Sequence, residues 1–292
     1  MVTRPSRLRA ADVVRIALAS SVARFDTNEP MLWTDRDPEA VHQARVATRR
    51  LRSDLGTLHE FVDKQWSMQL RAELRWLGAE LGGVRDVEVL RARLTLHTAL
   101  LPDADAAVAR AAIRQLDVDG TAARADLLVA LGEPRYAQLH RALHEAVISP
   151  RLTAAADARA VDALPAAVRP AWCRLRRTVD GLARVPSDAA LHEVRIRAKR
   201  CRYAAELAEP VIGKRARELA TAVTRVQDVL GEHQDAVVAD SWLAKTAPEC
   251  SPSEAYALGK LAEIERGLSV RARAALAGAW DAARDRRLRA WM

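Results

Sequence analysis

The sequence predicts an all-α protein of two tandem helical bundles of the four-helix type, and three observations carry that prediction. The stretch Val41-His42-Gln43-Ala44-Arg45-Val46-Ala47-Thr48-Arg49-Arg50-Leu51-Arg52 recurs as Leu191-His192-Glu193-Val194-Arg195-Ile196-Arg197-Ala198-Lys199-Arg200-Cys201-Arg202, 150 residues later in a chain of 292. A repeat at half the chain length concerns architecture before chemistry. Leu81-Gly82-Gly83-Val84-Arg85-Asp86 likewise returns as Leu230-Gly231-Glu232-His233-Gln234-Asp235, offset by 149. Twelve Gly and twelve Pro are few for this length, and no alternating strand pairs or Asn-Gly hairpins occur.

The elements follow in order. Residues 6–26 carry an amphipathic pattern that includes Leu8, Val13, Ile16, Val22 and Phe25, and Asn28, Pro30, Asp35, Asp37 and Pro38 then read as a connecting loop. Asp37-Pro38 also suits a helix start, with an acidic N-cap and Pro at N1, and that helix runs to about residue 61 with the first motif on it. Helices are expected over 64–81, ending at Gly82-Gly83, and from 84 to about 101, where Pro102 stops the run. Two more are expected over 103–130 and 133–148. An Ala- and Asp-rich stretch to about Pro165 reads as the connector, so residues 1–150 form one half and 151–292 the other within a single domain. The second half repeats the plan: 166–183, the second motif helix to about 208 before Pro210, 213–230 ending at Gly231, a run to Pro248, and long helices from Ser253.

Composition narrows the partners. A net charge of +8 and a pI near 10 indicate a polyanion or an anionic surface. Three cysteines, Cys173, Cys201 and Cys250, show no paired or metal-type spacing, which argues for a reducing compartment. Asp12 and Arg15 interrupt the N-terminal apolar run before signal-peptide length, and no stretch reaches a membrane span, so the cytoplasm is the expected location.

The motif helix sorts its charges. At about 100° per residue, Val41, Ala44, Thr48, Leu51, Leu55 and Leu58 share one arc suited to a core. His42, Arg45, Arg49 and Arg52 occupy the adjacent arc, with Val46 beyond it; His192, Arg195, Lys199 and Arg202 do the same in the second copy, with Ile196 beyond. Cations at i,i+3 and i,i+4 repel unless they are solvated or hold an anion. A single such helix reads as a solvated basic face with snorkelling stems. Recurrence in register favours a groove or channel wall. A ladder of cations repeating every ~5.4 Å suits an extended polyanion, and the arginine fork suits phosphate. The histidines either donate to phosphate or brace the helices. Cys201 falls on the core side of the wheel, as a small buried hydrophobe.

Other residues are weighed beside these. Arg71 and Arg75, and Lys214, Arg217 and Arg225 in the second half, are secondary candidates for the same groove, equally readable as surface charge. Asp86 and Asp235, taken to follow helix breaks, either cap helices or orient an arginine. His140-x-x-x-His144-Glu145 places two imidazoles on one helical face, but no third ligand with metal-type spacing accompanies them, so no metal is expected. Trp280 and Trp291 flank a basic segment, Arg284 to Arg289, that either packs the bundle end or touches a membrane or partner. No phosphate-binding loop, nucleophile elbow or dinucleotide fingerprint is present, so no catalytic residue and no cofactor are expected. Nucleic-acid binding or a granule scaffold is the competing use of the charge, disfavoured by the scarcity of aromatics for base stacking.

The carriers His42-x-x-Arg45-Val46-x-x-Arg49-Arg50-Leu51-Arg52, Leu81-Gly82-x-Val84-Arg85-Asp86, His192-x-x-Arg195-Ile196-x-x-Lys199-Arg200-x-Arg202-Tyr203 and Leu230-Gly231-x-x-x-Asp235 resemble the conserved histidine α-helical domain family, called CHAD. The resemblance implies two four-helix-type bundles related by a pseudo-twofold axis, with a basic surface and pore between them. It also implies binding of inorganic polyphosphate without catalysis, association with polyphosphate granules, and proximity to polyphosphate-metabolising proteins. It puts His42, Arg45, Arg49, Arg50, Arg52, His192, Arg195, Lys199, Arg200 and Arg202 in the binding set, with Arg85 and its displaced partner His233 as secondary members. Relatives often carry a triphosphate-tunnel enzyme domain; this sequence has no such acidic strand motif, so it resembles a stand-alone member.

Overall fold

The computed structural model describes residues 8–34 and 38–292. Among them the chain is predominantly helical, with the all-α architecture expected. The helices are α1 (Ala10–Leu32), α2 (Pro38–Thr57), α3 (Lys64–His97), α4 (Asp103–Ile113), α5 (Gln115–Gly132), α6 (Pro134–Ile148), α7 (Ala160–Asp180), α8 (Asp188–Ile212), α9 (Lys214–Thr246) and α10 (Pro252–Ala283). Two isolated antiparallel bridges, Arg9 with Arg159 and Val62 with Leu152, tie the connector to the first half. The expected Asp37 cap and the start of the first helix at residue 6 lie outside the described residues.

Several boundaries differ from the sequence expectation, and the reasons are tertiary. α1 continues through Asn28 and Pro30 to Leu32, because Leu32 is fully buried and its carbonyl accepts from Arg124 Nη2 at 2.5 Å. α3 runs unbroken through Gly82-Gly83, and α9 through Gly231. A helical glycine costs roughly 1 kcal/mol against alanine, yet Leu77, Leu81, Leu90 and Leu94 bury one continuous face of α3 and override it. Residues 103–130 divide at Arg114, where α4 turns toward α10 and α5 toward α3. α7 starts at Ala160, inside the expected connector, and contains Pro165 and Pro170; α8 contains Pro210.

The core does not part at residue 150. One buried cluster joins α1, α2, α3 and α6 to Ala160, Leu164 and Val168 of α7 and to Ala204, Leu207 and Ala208 of α8. A second unites Trp172 and Leu175 of α7 with α8, α9 and the end of α10. The motif-helix stripe is where the periodicity placed it: Val41, Ala44, Thr48, Leu51, Leu55 and Leu58 are all buried. Cys201 is fully buried in the second cluster, which pushes its thiol up to about 12. Trp280 stacks on Trp172 at 5.4 Å between centroids, and Arg289 lies over Trp172 at 4.4 Å. Trp291 is partly buried against both clusters, so these tryptophans pack the bundle end.

A third cluster ties the far ends of the long helices together, with Leu90 and Leu94 of α3 against Leu243 of α9 and Leu258 and Leu261 of α10. An ion network closes over it. Glu265 on α10 is fully buried and accepts from Arg93 Nε at 2.8 Å, while its other oxygen lies 2.6 Å from His97 Nδ1. Arg93 also grips Glu232 of α9 at 2.6 Å. One side chain of α3 thus clamps α9 and α10.

Removing one partner of a buried pair strands the other charge at a cost of about 3–5 kcal/mol. Glu265→Ala is therefore expected to lower the unfolding free energy from denaturant titration by an amount in that range while leaving helicity below the transition intact. An unfolding free energy within ~0.5 kcal/mol of the parent would show that the network adds nothing.

Candidate functional site

The two motif helices, α2 and α8, meet near the middle of the molecule, and the cationic stripes flank the contact. Between them, closed by α3 and α7, lies a cavity of about 510 Å³. Among the described residues nine arginines and one lysine line it, and no carboxylate does. Of the sequence candidates it gathers Arg45, Arg49, Arg52, Arg71, Arg75, His192, Arg195, Lys199 and Arg200.

The interlocking of the sequence motifs explains how these cations are held. Arg45 on α2 passes over Gly82 on α3, where an added Cβ would meet its guanidinium at 3.6 Å. Its Nη1 then donates to Asp86, one turn further along α3, at 2.8 Å. Arg195 on α8 passes over Gly231 on α9 in the same way and approaches Asp235 at 3.9 Å. The Leu-Gly-x-x-x-Asp stretch therefore serves as a seat for the arginine of the preceding motif. Asp86 and Asp235 lie within unbroken helices and orient arginines; they do not cap.

Elsewhere along the cavity the cations act on one another. Among the described residues no ion pair joins Arg49, Arg52, Arg71, Arg75, Lys199 or Arg200 to a carboxylate; Arg49 Nε instead donates to the phenol oxygen of Tyr203 at 2.9 Å. Burial, reinforced by Arg195, Arg49 and Arg45, pushes the Lys199 ammonium down to about 7. Burial and the charges of Arg75, Arg200, Arg71 and Arg49 lower Arg52 from its ordinary value, and burial with Arg75 lowers Arg71. The buried Nε atoms of Arg71 and Arg195 lack hydrogen-bond partners. Buried unpaired donors are costly, and here they border a cavity whose wall holds no anionic side chain.

The histidines take different places. His192 lines the cavity and its Nδ1 lies 2.7 Å from Gln234 Oε1, so it also braces α8 against α9. His42 stands behind the wall, where burial and then the charge of Arg85 depress its pKa. His233 is buried, bonded to Ser269 at 2.9 Å and paired with Asp188 at the start of α8 at 3.1 Å; it fixes a helix start and does not face the cavity.

Other expected members also lie elsewhere. Arg50 is spent on Asp54, at 3.1 Å, and on Glu206. Arg202 pairs with the same Glu206 at 2.8 Å and with Gln227 at 2.9 Å. Arg85 pairs with Glu88 at 3.1 Å. On α9, Lys214 pairs with Glu218 at 3.5 Å and Arg217 with Glu209 at 2.7 Å, while Arg225 is exposed outside the cavity. The physical reason is position along and around α9: Lys214 and Arg217 stand in its first turn, about four turns before Gly231, and Arg225 points away from the face that carries Gly231.

Arg174 of α7, Arg197 of α8, His59, Ser53 and Thr57 line the cavity and were not among the sequence candidates. Arg197 has no basic counterpart in the first motif, where Ala47 stands, so the repeat gave no signal for it. Arg174 was accessible only as one of the run Arg174, Arg176, Arg177. Tyr203 forms the end wall, with Arg202 at 4.5 Å, Arg50 at 5.4 Å and Arg49 at 5.9 Å from its ring centre, and it also lines a second cavity of about 390 Å³ under α1. Among the described residues the wall of the main cavity carries two imidazoles, His59 and His192, and no carboxylate.

Comparison with known proteins places this geometry. PptA from Streptomyces chartreusis has a similar structure, with a TM-score of 0.77 and 26% identity over 94% of this chain and 99% of that one. The crystal structure of the CHAD domain from the plant Ricinus communis matches with a TM-score of 0.68 and 25% identity, covering 99% of this chain and 94% of that one. Two uncharacterized Mycobacterium tuberculosis proteins, MT2285 and Rv2226, are each 33% identical over 286 residues. That alignment takes in 92% of this chain and 52% of theirs, so the chain spans about half the length of these relatives. The CHAD domain profile matches residues 16–244, a span that holds both motif helices and both glycine seats, and the chain belongs to the CHAD family.

Proposed function

We propose that this chain binds inorganic polyphosphate in the cavity between α2 and α8 without turning it over, and through that binding associates with polyphosphate granules. The observation that carries the reading is a cavity with ten cationic side chains and no carboxylate. Such a cavity is electrostatically frustrated when empty and relieved by an anion. Rows of guanidinium forks on two walls suit a ligand whose phosphates repeat along a line. Catalysis on condensed phosphates generally needs acidic residues to hold metal ions, and the cavity wall offers none.

Isothermal titration against orthophosphate, triphosphate and long-chain polyphosphate tests the reading. Affinity is expected to rise with chain length and to fall with added salt through counterion release; equal affinity for all three would refute it. Competition with RNA at equal charge separates the alternative use of the same surface, because polyphosphate is expected to displace RNA and not the reverse. Prolonged incubation with Mg²⁺ or Mn²⁺ is expected to leave polyphosphate length unchanged.

Charge reversal at the centre of both walls gives the second test. Each charge-assisted hydrogen bond is worth ~1.5–3 kcal/mol. Arg49→Glu and Lys199→Glu are therefore each expected to weaken polyphosphate binding by at least about tenfold, with helicity retained. Arg52→Gln is expected to weaken binding and also to raise the thermal midpoint of the ligand-free chain, since it removes a cation crowded by four others. A lowered midpoint would mean that Arg52 is held by contacts rather than opposed by charge.

Lys199 supplies a pH signature. Its ammonium titrates near 7 in the empty cavity and higher when an anion is bound. The bound state thus holds more protons from pH 7 upward, so affinity is greatest below pH 7 and declines above it. In the ligand-free chain the sign is opposite: the folded pKa lies below the unfolded one, so the Lys199 contribution to stability improves as pH rises from 7 toward 10. Lys199→Arg is expected to flatten the decline in affinity, measured from pH 6 to 9.

A further inference from the structure

A second cluster, outside the cavity, uses residues that the anion site leaves idle. On α6, His140 and His144 stand one turn apart with ring centres 4.6 Å from each other. The third group comes from α1, more than a hundred residues earlier. Asp26 Oδ1 lies 3.6 Å from His140 Nε2 and 3.5 Å from His144 Nε2. One ligand atom from each of the three falls within 4.8 Å of the others.

These separations are too long for hydrogen bonds, which close at about 2.7–3.2 Å. Asp26 Oδ1 is shielded from solvent and has no hydrogen-bond partner. A carboxylate oxygen and two imidazole nitrogens thus converge on a space that none of them fills. The spacing fits a small cation. Zinc–ligand bonds of about 2.0–2.1 Å in a tetrahedron put ligand atoms roughly 3.3–3.4 Å apart. The aspartate-to-imidazole separations need to shrink by only a few tenths of an ångström, which side-chain rotation supplies.

The surroundings support a built site. Glu29, on the same face of α1, accepts from Tyr136 Oη and from Trp33 Nε1, each at 2.9 Å. Tyr136 is buried, and its ring lies 6.1 Å from that of His140. These contacts fix α1 against α6 next to the cluster. Asp26 and His144 remain partly open to solvent, which gives an ion an entry path and leaves room for water as a further ligand.

We propose that Asp26, His140 and His144 bind a single Zn²⁺ ion with water in the open position. Two imidazoles and one carboxylate suit zinc and its first-row neighbours better than Mg²⁺ or Ca²⁺, which prefer all-oxygen shells. The ion staples α1 to α6 and stabilises the folded chain by mass action. The proposal is independent of the anion site, with which these three residues share no wall.

Metal titration of the chain, free of any histidine tag and stripped with chelator, tests the site. One equivalent of Co²⁺ is expected to produce the strong visible bands of low-coordinate cobalt, which Zn²⁺ then bleaches, and Zn²⁺ is expected to raise the thermal midpoint by several degrees. The double variant His140→Ala/His144→Ala is expected to keep its circular dichroism and its polyphosphate affinity but lose both metal responses. Asp26→Asn is expected to weaken Zn²⁺ binding by more than about tenfold. No binding at micromolar metal, or binding unchanged in the double variant, would overturn the assignment. His42→Ala/His192→Ala is the control, expected to leave metal binding unaltered.

Discussion

Mutual repulsion among crowded, partly desolvated cations is the constraint on which the centre of this molecule depends. Arg49, Arg52, Arg71, Arg75, Lys199 and Arg200 crowd a space of about 510 Å³ with no acid on its wall. Like charges at this density separate unless the backbones carrying them are fixed by something stronger. Here the fixing comes from behind. Leu51 and Leu55 of α2 with Leu58 just after it, and Val194, Ala198 and Cys201 of α8, are sealed in core packing on the faces turned away from the cavity. Each leucine or valine buried in this way contributes about 1.5–3 kcal/mol, enough in sum to hold a charge arrangement that is unfavourable by itself. The neutralising acids are kept at the margin, on Asp86 and Asp235, where they set the angle of Arg45 and Arg195 without filling the space.

The same logic explains why the halves interlock. If the two walls belonged to separate domains, their repulsion would act to part them. The core instead crosses the midpoint, with α7 contributing its first turns to one cluster and its later ones to the other. At the far end, Arg93 and Glu265 join α3, α9 and α10 in an attractive network at deeper burial. Charges of opposite sign are placed where the molecule needs cohesion, and charges of one sign where it needs a vacancy.

Much of this was legible in the sequence because both signals involved are periodic. The 3.6-residue pattern located the buried stripe of α2 residue by residue, and the 150-residue recurrence singled out the cations beside it. Periodicity does not report rotation of one helix about another, and the misplaced residues reflect that. Arg50 and Arg202 lie just past the cavity edge and are taken up by Glu206. His233 looked like a substitute anion contact because it occupies the repeat position, yet its environment is Asp188 and Ser269, neither of which the repeat could disclose. Arg174 and Asp26 illustrate the complementary limit. Each matters through a neighbour distant in sequence, and a pair of histidines has no visible third ligand until the fold brings α1 alongside α6.

The glycines at 82 and 231 look, in a one-dimensional reading, like places where a helix ends. In the folded chain they are shallow notches in two long rods, each the depth of one missing side chain. A methyl group would touch the guanidinium above it at 3.6 Å at Gly82 and at 3.8 Å at Gly231, which is ordinary contact. Alanine therefore fits either notch, and any residue with a γ atom lifts the arginine off its rod. In this chain the Leu-Gly pair is a limit on height rather than a requirement for flexibility, set by the thickness of a planar cation lying flat between two helices.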